Sequence, residues 1–171
     1  MNYKIRPAGS GDLPKFAEIH VKSWSNAYQN IVPQNILDDM TEQKSLQIWQ
    51  RTFQKYPQNL TLVEQEQGEI VAICCAGPCD YPGEGVDWEI YGLHVMPSLR
   101  SQGIGAALLQ DALARARLAR AQKAIVWTIE KLDRSRKFYQ REGGQYYKTK
   151  QWPLIPSLNE VSYYWDIKVS S

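Results

Sequence analysis

LHVMPSLRSQGIGAALLQ, residues 93–110, sets an apolar run that stops at Pro97 against a second apolar run at helical spacing, with Gly103 and Gly105 at the junction. A helix that begins near Gly103 has no intrahelical partners for its first N–H groups, and the peptide dipoles add partial positive charge there. The junction therefore suits an anion. Residues without a β-carbon let a phosphate approach the main chain and let the chain take turn angles that other residues resist. Arg100 adds a fixed charge beside this loop or braces it through carbonyls. A Walker loop would need a Gly-Lys-Ser/Thr end, which SLRSQGIGAAL lacks. A dinucleotide fingerprint would need a small residue where Leu108 stands and a strand early in the chain.

Working outward, VDWEIYGLHV reads as the strand that feeds the junction. Its alternation puts Glu89, Tyr91, Leu93 and Val95 on one face and Trp88, Ile90, Gly92 and His94 on the other. Upstream, NYKIRPA reads as a strand and GSGD as punctuation. A helix follows from about Leu13, with Asp12 as N-cap and Pro14 in the first turn, carrying Phe16, Ile19, Trp24 and Tyr28. EQKSLQIWQRTFQKY repeats Leu46, Trp49 and Phe53 at helical spacing, and LTLVEQEQGEIVAICCAG reads as two strands turning at Gln67 and Gly68. Downstream come a helix from about Gly103 to Arg120, a strand KAIVWTI, a helix from about Asp133 to Glu142, and strands near GQYYKTK and EVSYYWDIKV. The order β, α, α, β, β, β, α, β, α, β, β fits an α/β (α+β) fold with one mixed sheet and helices on its faces. Pro97 cannot donate a ladder hydrogen bond, so pairing with the next strand is expected to fail there.

The 171 residues carry no repeat, linker or low-complexity segment, and are read as one domain spanning 1–171. A hydrophobic content of 43% and a charged content of 22% match a folded chain rather than a disordered one. Twenty basic against eighteen acidic side chains leave a formal charge of +2, which argues against a general nucleic-acid binder. Cys74, Cys75 and Cys79 lie in or beside a β-forming run with no histidine at zinc-ligand spacing, so no metal is expected. No apolar signal core opens the chain and no stretch is long enough to cross a bilayer, so a cytoplasmic protein without membrane attachment is expected.

VMPSLRSQGIGAALL resembles the coenzyme A loop of the GNAT superfamily of acetyl-CoA-dependent N-acetyltransferases, with Arg100, Gly103 and Gly105 at the defined positions of its [QR]-x-x-G-x-[GA] pattern. The resemblance runs from Tyr3 to about Gln145 in the order of strands, helices and loop. It implies a single, largely antiparallel sheet splayed at its central strands. It also implies that the stretch Arg100, Ser101, Gln102, Gly103, Ile104, Gly105 and Ala106 serves the cofactor, the main chain from Gln102 to Ala106 holding the pyrophosphate. The resemblance further implies that Leu93 and Val95 pair with the pantetheine arm as though it were another strand, with His94 between them. The N–H of Val95 is the implied oxyanion donor.

Acetyl transfer to an amine needs a neutral nucleophile, oxyanion stabilisation and a proton for the departing thiolate. The resemblance implies Tyr139 as that proton donor, in the helix after KAIVWTI; Leu132, Ser135 and Tyr139 fall on one helical face. Leu132 stands where the family often has asparagine, which removes one amide from the cofactor arm, and Ser135 is counted with the cofactor-binding residues. The other reading of Tyr139 is a core aromatic. Glu89 matches the position of a catalytic glutamate in histone-acetyltransferase relatives, and Trp88 and Tyr91 are expected to limit its hydration and raise its pKa. It serves as base or binds a cationic substrate. Asp80, Glu84, Asp87 and Glu89 are expected to attract that amine, and Arg134 and Lys137 to face the cofactor phosphates. VKSWSNAYQNIVP resembles the first-helix region of small bacterial-type members, which implies that Trp24 and Tyr28 border the acceptor, with an aromatic core as the other reading. The expected partner is a small-molecule or peptide amine, and the expected state a monomer or homodimer. A non-catalytic acyl-CoA sensor with the same fold is the competing reading.

Overall fold

The computed structural model describes residues 2–81 and 84–167; the side chain of Asp80 and the expected strand residues Lys168 and Val169 lie outside the described residues. The elements run β1 (Tyr3–Pro7), α1 (Leu13–Tyr28), α2 (Gln34–Asp39), α3 (Glu42–Lys55), β2 (Leu60–Gln65), β3 (Ile70–Tyr81) and β4 (Val86–Val95). They continue with α4 (Ile104–Leu118), β5 (Lys123–Ile129), α5 (Asp133–Arg141), β6 (Gln145–Trp152) and β7 (Ile155–Asp166). The strands form one mixed sheet in the order β1-β2-β3-β4-β5-β7-β6, open at both edges. β4 and β5 are parallel, whereas β1–β2, β2–β3, β5–β7 and β6–β7 are antiparallel. Two compact units divide the chain, one holding the residues up to Cys75 with Gly92–Asp111, the other holding Ala76–Tyr91 and the chain from Ala112.

In the first unit the apolar stripe of α1 drives the packing. Leu13, Phe16, Ala17 and Ile19 close on Trp49 of α3 and on Leu60, Leu62, Ile70, Ile73 and Cys75 of β2 and β3. Burying each large apolar side chain is worth roughly 1.5–3 kcal/mol against leaving it in water. Phe16 meets Trp49 edge to face, with ring centroids 5.3 Å apart. Thr41 caps α3, its Oγ1 accepting the backbone N–H of Lys44 at 3.2 Å.

Asp12 does not act as the expected side-chain cap of α1. Its Oδ2 accepts the backbone N–H of Gly9 at 2.7 Å, and its two oxygens take a fork from Arg6 at 2.8 and 3.0 Å. The bidentate guanidinium and a backward-facing N–H outcompete the helix N-terminus, and the Arg6 contact holds the Asp12 carboxyl below its ordinary pKa. α2 was not expected; its six residues follow Pro33, and Leu37 buries it.

In the second unit, β4 and β5 pair only from Trp88↔Ala124 to Ile90↔Val126. That register stops well before Pro97, so the missing proline N–H is not what ends it; Pro97 instead opens a single 3₁₀ turn, Pro97–Leu99. Asp87 fixes the start of β5, its Oδ1 accepting the backbone N–H groups of Gln122 and Lys123 at 2.9 and 3.1 Å. β5 pairs with β7 along its length, from Lys123↔Asp166 to Ile129↔Glu160. Gly144 lies tight beneath α5, where a β-carbon would come within 2.8 Å of both the Tyr139 carbonyl and the Trp165 ring. Among the described residues, no helix is long and apolar enough to cross a membrane.

Candidate functional site

The singled-out side chains fall into two groups, one in each compact unit. In the first unit the β4-to-α4 junction turns at Gly103, while Gly105 lies inside the first turn of α4. α4 opens at Ile104, and its first bond runs from the Ala107 N–H to the Gly103 carbonyl at 3.0 Å. The N–H groups of Ile104, Gly105 and Ala106 therefore precede the helical ladder. Gly103 has φ +82°, and the site of its absent β-carbon is open space, so the glycine is needed for conformation rather than clearance. Ser101 also adopts a left-handed backbone, at φ 64°. Ser101, Gln102 and Gly103 are all exposed. Open space, exposed backbone and a helix start together fit a pyrophosphate.

Arg100 extends toward α1. One of its nitrogens donates to Ser23 Oγ at 3.2 Å and another to Asn26 Oδ1. Ser23 Oγ lies 3.3 Å from His94 Nδ1, and the His94 ring sits tilted by 50° against His20, centroids 5.0 Å apart; His20 Nδ1 lies 2.8 Å from the buried Ser45 Oγ. Burial pushes His20 down to about 4 and His94 to about 3, with the charges of His20 and Arg100 adding to the second. Both rings are neutral near neutral pH. The side chain of His94 is thus committed to α1. Leu93 is half-buried and Val95 buried; the main chain beyond them is held by the Met96 N–H on the Val71 carbonyl at 2.9 Å. Trp24 is only 9% exposed, while Tyr28 beside it, at 4.4 Å between centroids, is half-buried.

In the second unit Glu89 is half-buried. Its neighbours are not those expected: Trp88 points to the opposite face by strand alternation, and Tyr91 is exposed, its hydroxyl donating to the Pro78 carbonyl at 3.1 Å. Tyr81 takes their place. Its hydroxyl donates to Glu89 Oε2 at 2.8 Å and accepts the Trp127 Nε1–H at 3.3 Å. Burial raises the Glu89 pKa above the ordinary carboxylate value; the Tyr81 hydrogen bond and the Lys150 charge oppose the rise, and Glu160 reinforces it. Lys150 itself sits 4.0 Å over the Trp127 ring and 3.1 Å from Glu160. Sequence reasoning missed Tyr81; its signal is a tyrosine at the end of one meander strand, eight positions before the glutamate in the next.

Tyr139 is 7% exposed, in an aromatic cluster with Phe138, Tyr163 and Trp165. Tyr163 and Trp165 pair with Val126 and Ala124, whereas Glu89 pairs with Ile125. Strand alternation therefore puts Tyr139 and Glu89 against opposite faces of the sheet in this unit. Ser135 and Leu132 are half-buried near the start of α5, and Arg134 and Lys137 are exposed. The expected acidic attraction is reduced, because Glu84 is held by Lys148 at 2.7 Å and by Tyr147 at 2.9 Å, and Asp87 caps β5.

The sequence model of the Acetyltransferase (GNAT) family matches residues 20–144. An uncharacterized N-acetyltransferase of Bacillus subtilis strain 168, YuaI, is 27% identical over 126 residues, 74% of this chain and 71% of that protein. A probable N-acetyltransferase of Mycobacterium tuberculosis is 27% identical over 147 residues, 82% of this chain and 79% of that protein. An N-acetyltransferase from Staphylococcus aureus Mu50 superposes with a TM-score of 0.73 at 20% identity, covering 98% of this chain and 100% of its own. PaiA N-acetyltransferase from Thermoplasma acidophilum, solved in complex with coenzyme A, superposes at 0.72 with 15% identity over 95% and 98% of the two chains. At such identities the structural likeness establishes the fold.

Proposed function

The chain belongs to the GNAT acetyltransferase family and is an acyltransferase; from that premise we propose that it moves an acetyl group from acetyl-CoA to a primary amine of a small molecule or peptide. The observation that carries the reading is the Arg100–Gly105 junction, where two left-handed residues lead exposed backbone into the first turn of α4. In this reading the whole chain acts as one transferase domain, in the cytoplasm, as a monomer or homodimer.

The roles follow from the chemistry of the residues. The main chain from Gln102 to Ala106 holds the pyrophosphate, and the stretch from Leu93 through Val95 lies along the pantetheine arm. The Val95 N–H donates to the oxygen of the thioester carbonyl as charge develops there, a contribution on the order of 10²–10³ in rate for one such donor. Glu89, with its raised proton affinity, takes a proton from the attacking amine, so that nitrogen attacks as a neutral base. Carbon–nitrogen bond formation and loss of the thiolate complete direct transfer without a covalent enzyme intermediate. Tyr139 supplies the proton to the sulfur. Trp24 and Tyr28 border the acceptor, with Tyr28 the more accessible.

A second reading, a non-catalytic acyl-CoA sensor, is favoured by one observation: Tyr139 is packed as a core aromatic on the face away from Glu89. The experiment begins with the melting temperature in CoA. A ligand bound only to the folded state at about 100 times its Kd stabilises it by about 2.7 kcal/mol, a rise of several degrees. No rise at saturation sinks both readings. A rise without amine-dependent CoA release from acetyl-CoA leaves only the sensor.

A further inference from the structure

We propose that Ser23 and Asn26 on α1 are positioning residues for coenzyme A binding: by holding the Arg100 guanidinium against the helix, they fix the backbone through Ser101 to Gly103. The proposal rests on the acetyl-CoA reading above. Arg100 is the first residue of the loop pattern, and it is tied to a helix more than seventy residues earlier in the chain by Ser23 Oγ at 3.2 Å and by Asn26 Oδ1.

The loop needs such a tether. Arg100 itself is extended, at φ −67° and ψ 158°, and is followed by Ser101 at φ 64° and Gly103 at φ 82°. A serine in the left-handed region is held at a cost on the order of 1 kcal/mol and persists only where its surroundings over-determine it. The short Pro97–Leu99 turn anchors one side of this kink and α4 the other. Between them, the charge-assisted hydrogen bonds of Arg100 are contacts that pull the kink toward a rigid element.

A guanidinium only donates, so Ser23 Oγ accepts from Arg100. Toward His94 Nδ1, at 3.3 Å, the same hydroxyl donates its hydrogen or accepts on its second lone pair, according to the tautomer of the ring. Ser23 is buried and Asn26 exposed, so the two anchors are independent in their structural risk. This assigns to two α1 side chains a part in pyrophosphate binding that neither performs by touching the phosphate.

The test is a double-mutant cycle on the full chain, read as CoA affinity by calorimetry. Asn26→Ala, on an exposed position, is expected to weaken CoA binding about tenfold, the scale of one lost hydrogen bond to a charged group. The ligand-free melting temperature should stay put. In an Arg100→Gln background the same change should have little further effect, because the partner is gone. Asn26→Asp, which keeps an acceptor and adds opposite charge, should restore or tighten binding. Ser23→Thr should bind better than Ser23→Ala. The inference is overturned if Asn26→Ala binds CoA as the parent does, or if its loss is as large without Arg100 as with it. Absence of CoA binding in the parent protein would instead overturn the acetyl-CoA reading, and this inference with it.

Discussion

Mild acid should destabilise this fold through two buried rings in contact, His20 and His94. The His20 ring is wedged between Trp24, Trp49 and His94, and its Nδ1 lies 2.8 Å from a fully buried serine hydroxyl. Burial lowers the His20 pKa from 6.5 to about 4 and the His94 pKa from 6.5 to about 3. The unfolded chain therefore binds two protons that the folded chain refuses in this range. Stability is complete above about pH 6.5, the unfolded pKa, and is lost as pH falls through about 4 toward about 3. The His20 part alone is worth about 3 kcal/mol, a large share of the 5–15 kcal/mol typical of a domain. Asp12, Glu18 and Glu64, held low by Arg6, by Lys15 and Lys22, and by Lys4 and Arg6, begin to give up their contributions only as pH falls through the ordinary carboxylate range. Steps above about pH 5 therefore read the histidines. Urea unfolding at pH steps from about 7 to about 5 should show a slope approaching about 2.7 kcal/mol per pH unit in the lower half, the value for two protons. His20→Asn places an amide near the Nδ1 position and removes one of the two titrations, so its slope there should fall to about half even if its overall stability falls. An unchanged slope in that variant refutes the reasoning.

Other consequences concern the two chemical groups and the packing beneath α5. Tyr139→Phe should lower turnover with little change in CoA affinity, and should cost no more than about 1.5 kcal/mol of stability because the ring stays in its aromatic cluster; unchanged turnover would remove the acid role. Glu89 has a raised pKa, so the rate should fall on the acid side at a higher pH than an ordinary carboxylate would give. Tyr81→Phe removes a hydrogen bond that favours the charged form, so that limb should move higher still; a limb that stays put or moves lower contradicts it. Gly144→Ala brings a β-carbon to 2.8 Å from the Tyr139 carbonyl and the Trp165 ring, and should cost about 2 kcal/mol in urea unfolding.

The region from Val86 to Leu118 was the most legible part of the chain, because its period changes from two to helical across Pro97 and Gly103, and each change has a local cause. The helices expected from about Gly103 and Asp133 appear as Ile104–Leu118 and Asp133–Arg141. What was hidden depends on contacts distant in sequence. Asp12 reads as a cap until β1 brings Arg6 beside it. Six residues of α2 are too few to show a period. Glu89 was visible, but Tyr81 meets it, and Trp127 meets Tyr81, only once three strands assemble. The contact from Arg100 to Ser23 spans 77 positions, and no local pattern announces it. The proline rule was sound in itself and misapplied, since β4–β5 pairing ends at Ile90↔Val126, well before Pro97.

The most direct test is transfer itself. The protein is incubated with acetyl-CoA and a panel of primary amines, including peptide N-termini, polyamines, amino acids and aminoglycosides, while free CoA thiol is followed and each acceptor is weighed by mass spectrometry. The account predicts amine-dependent thiol release with one acetyl group added to the acceptor, reduced in both Glu89→Gln and Tyr139→Phe. Tight CoA binding with no acetylated product from any amine class would contradict it.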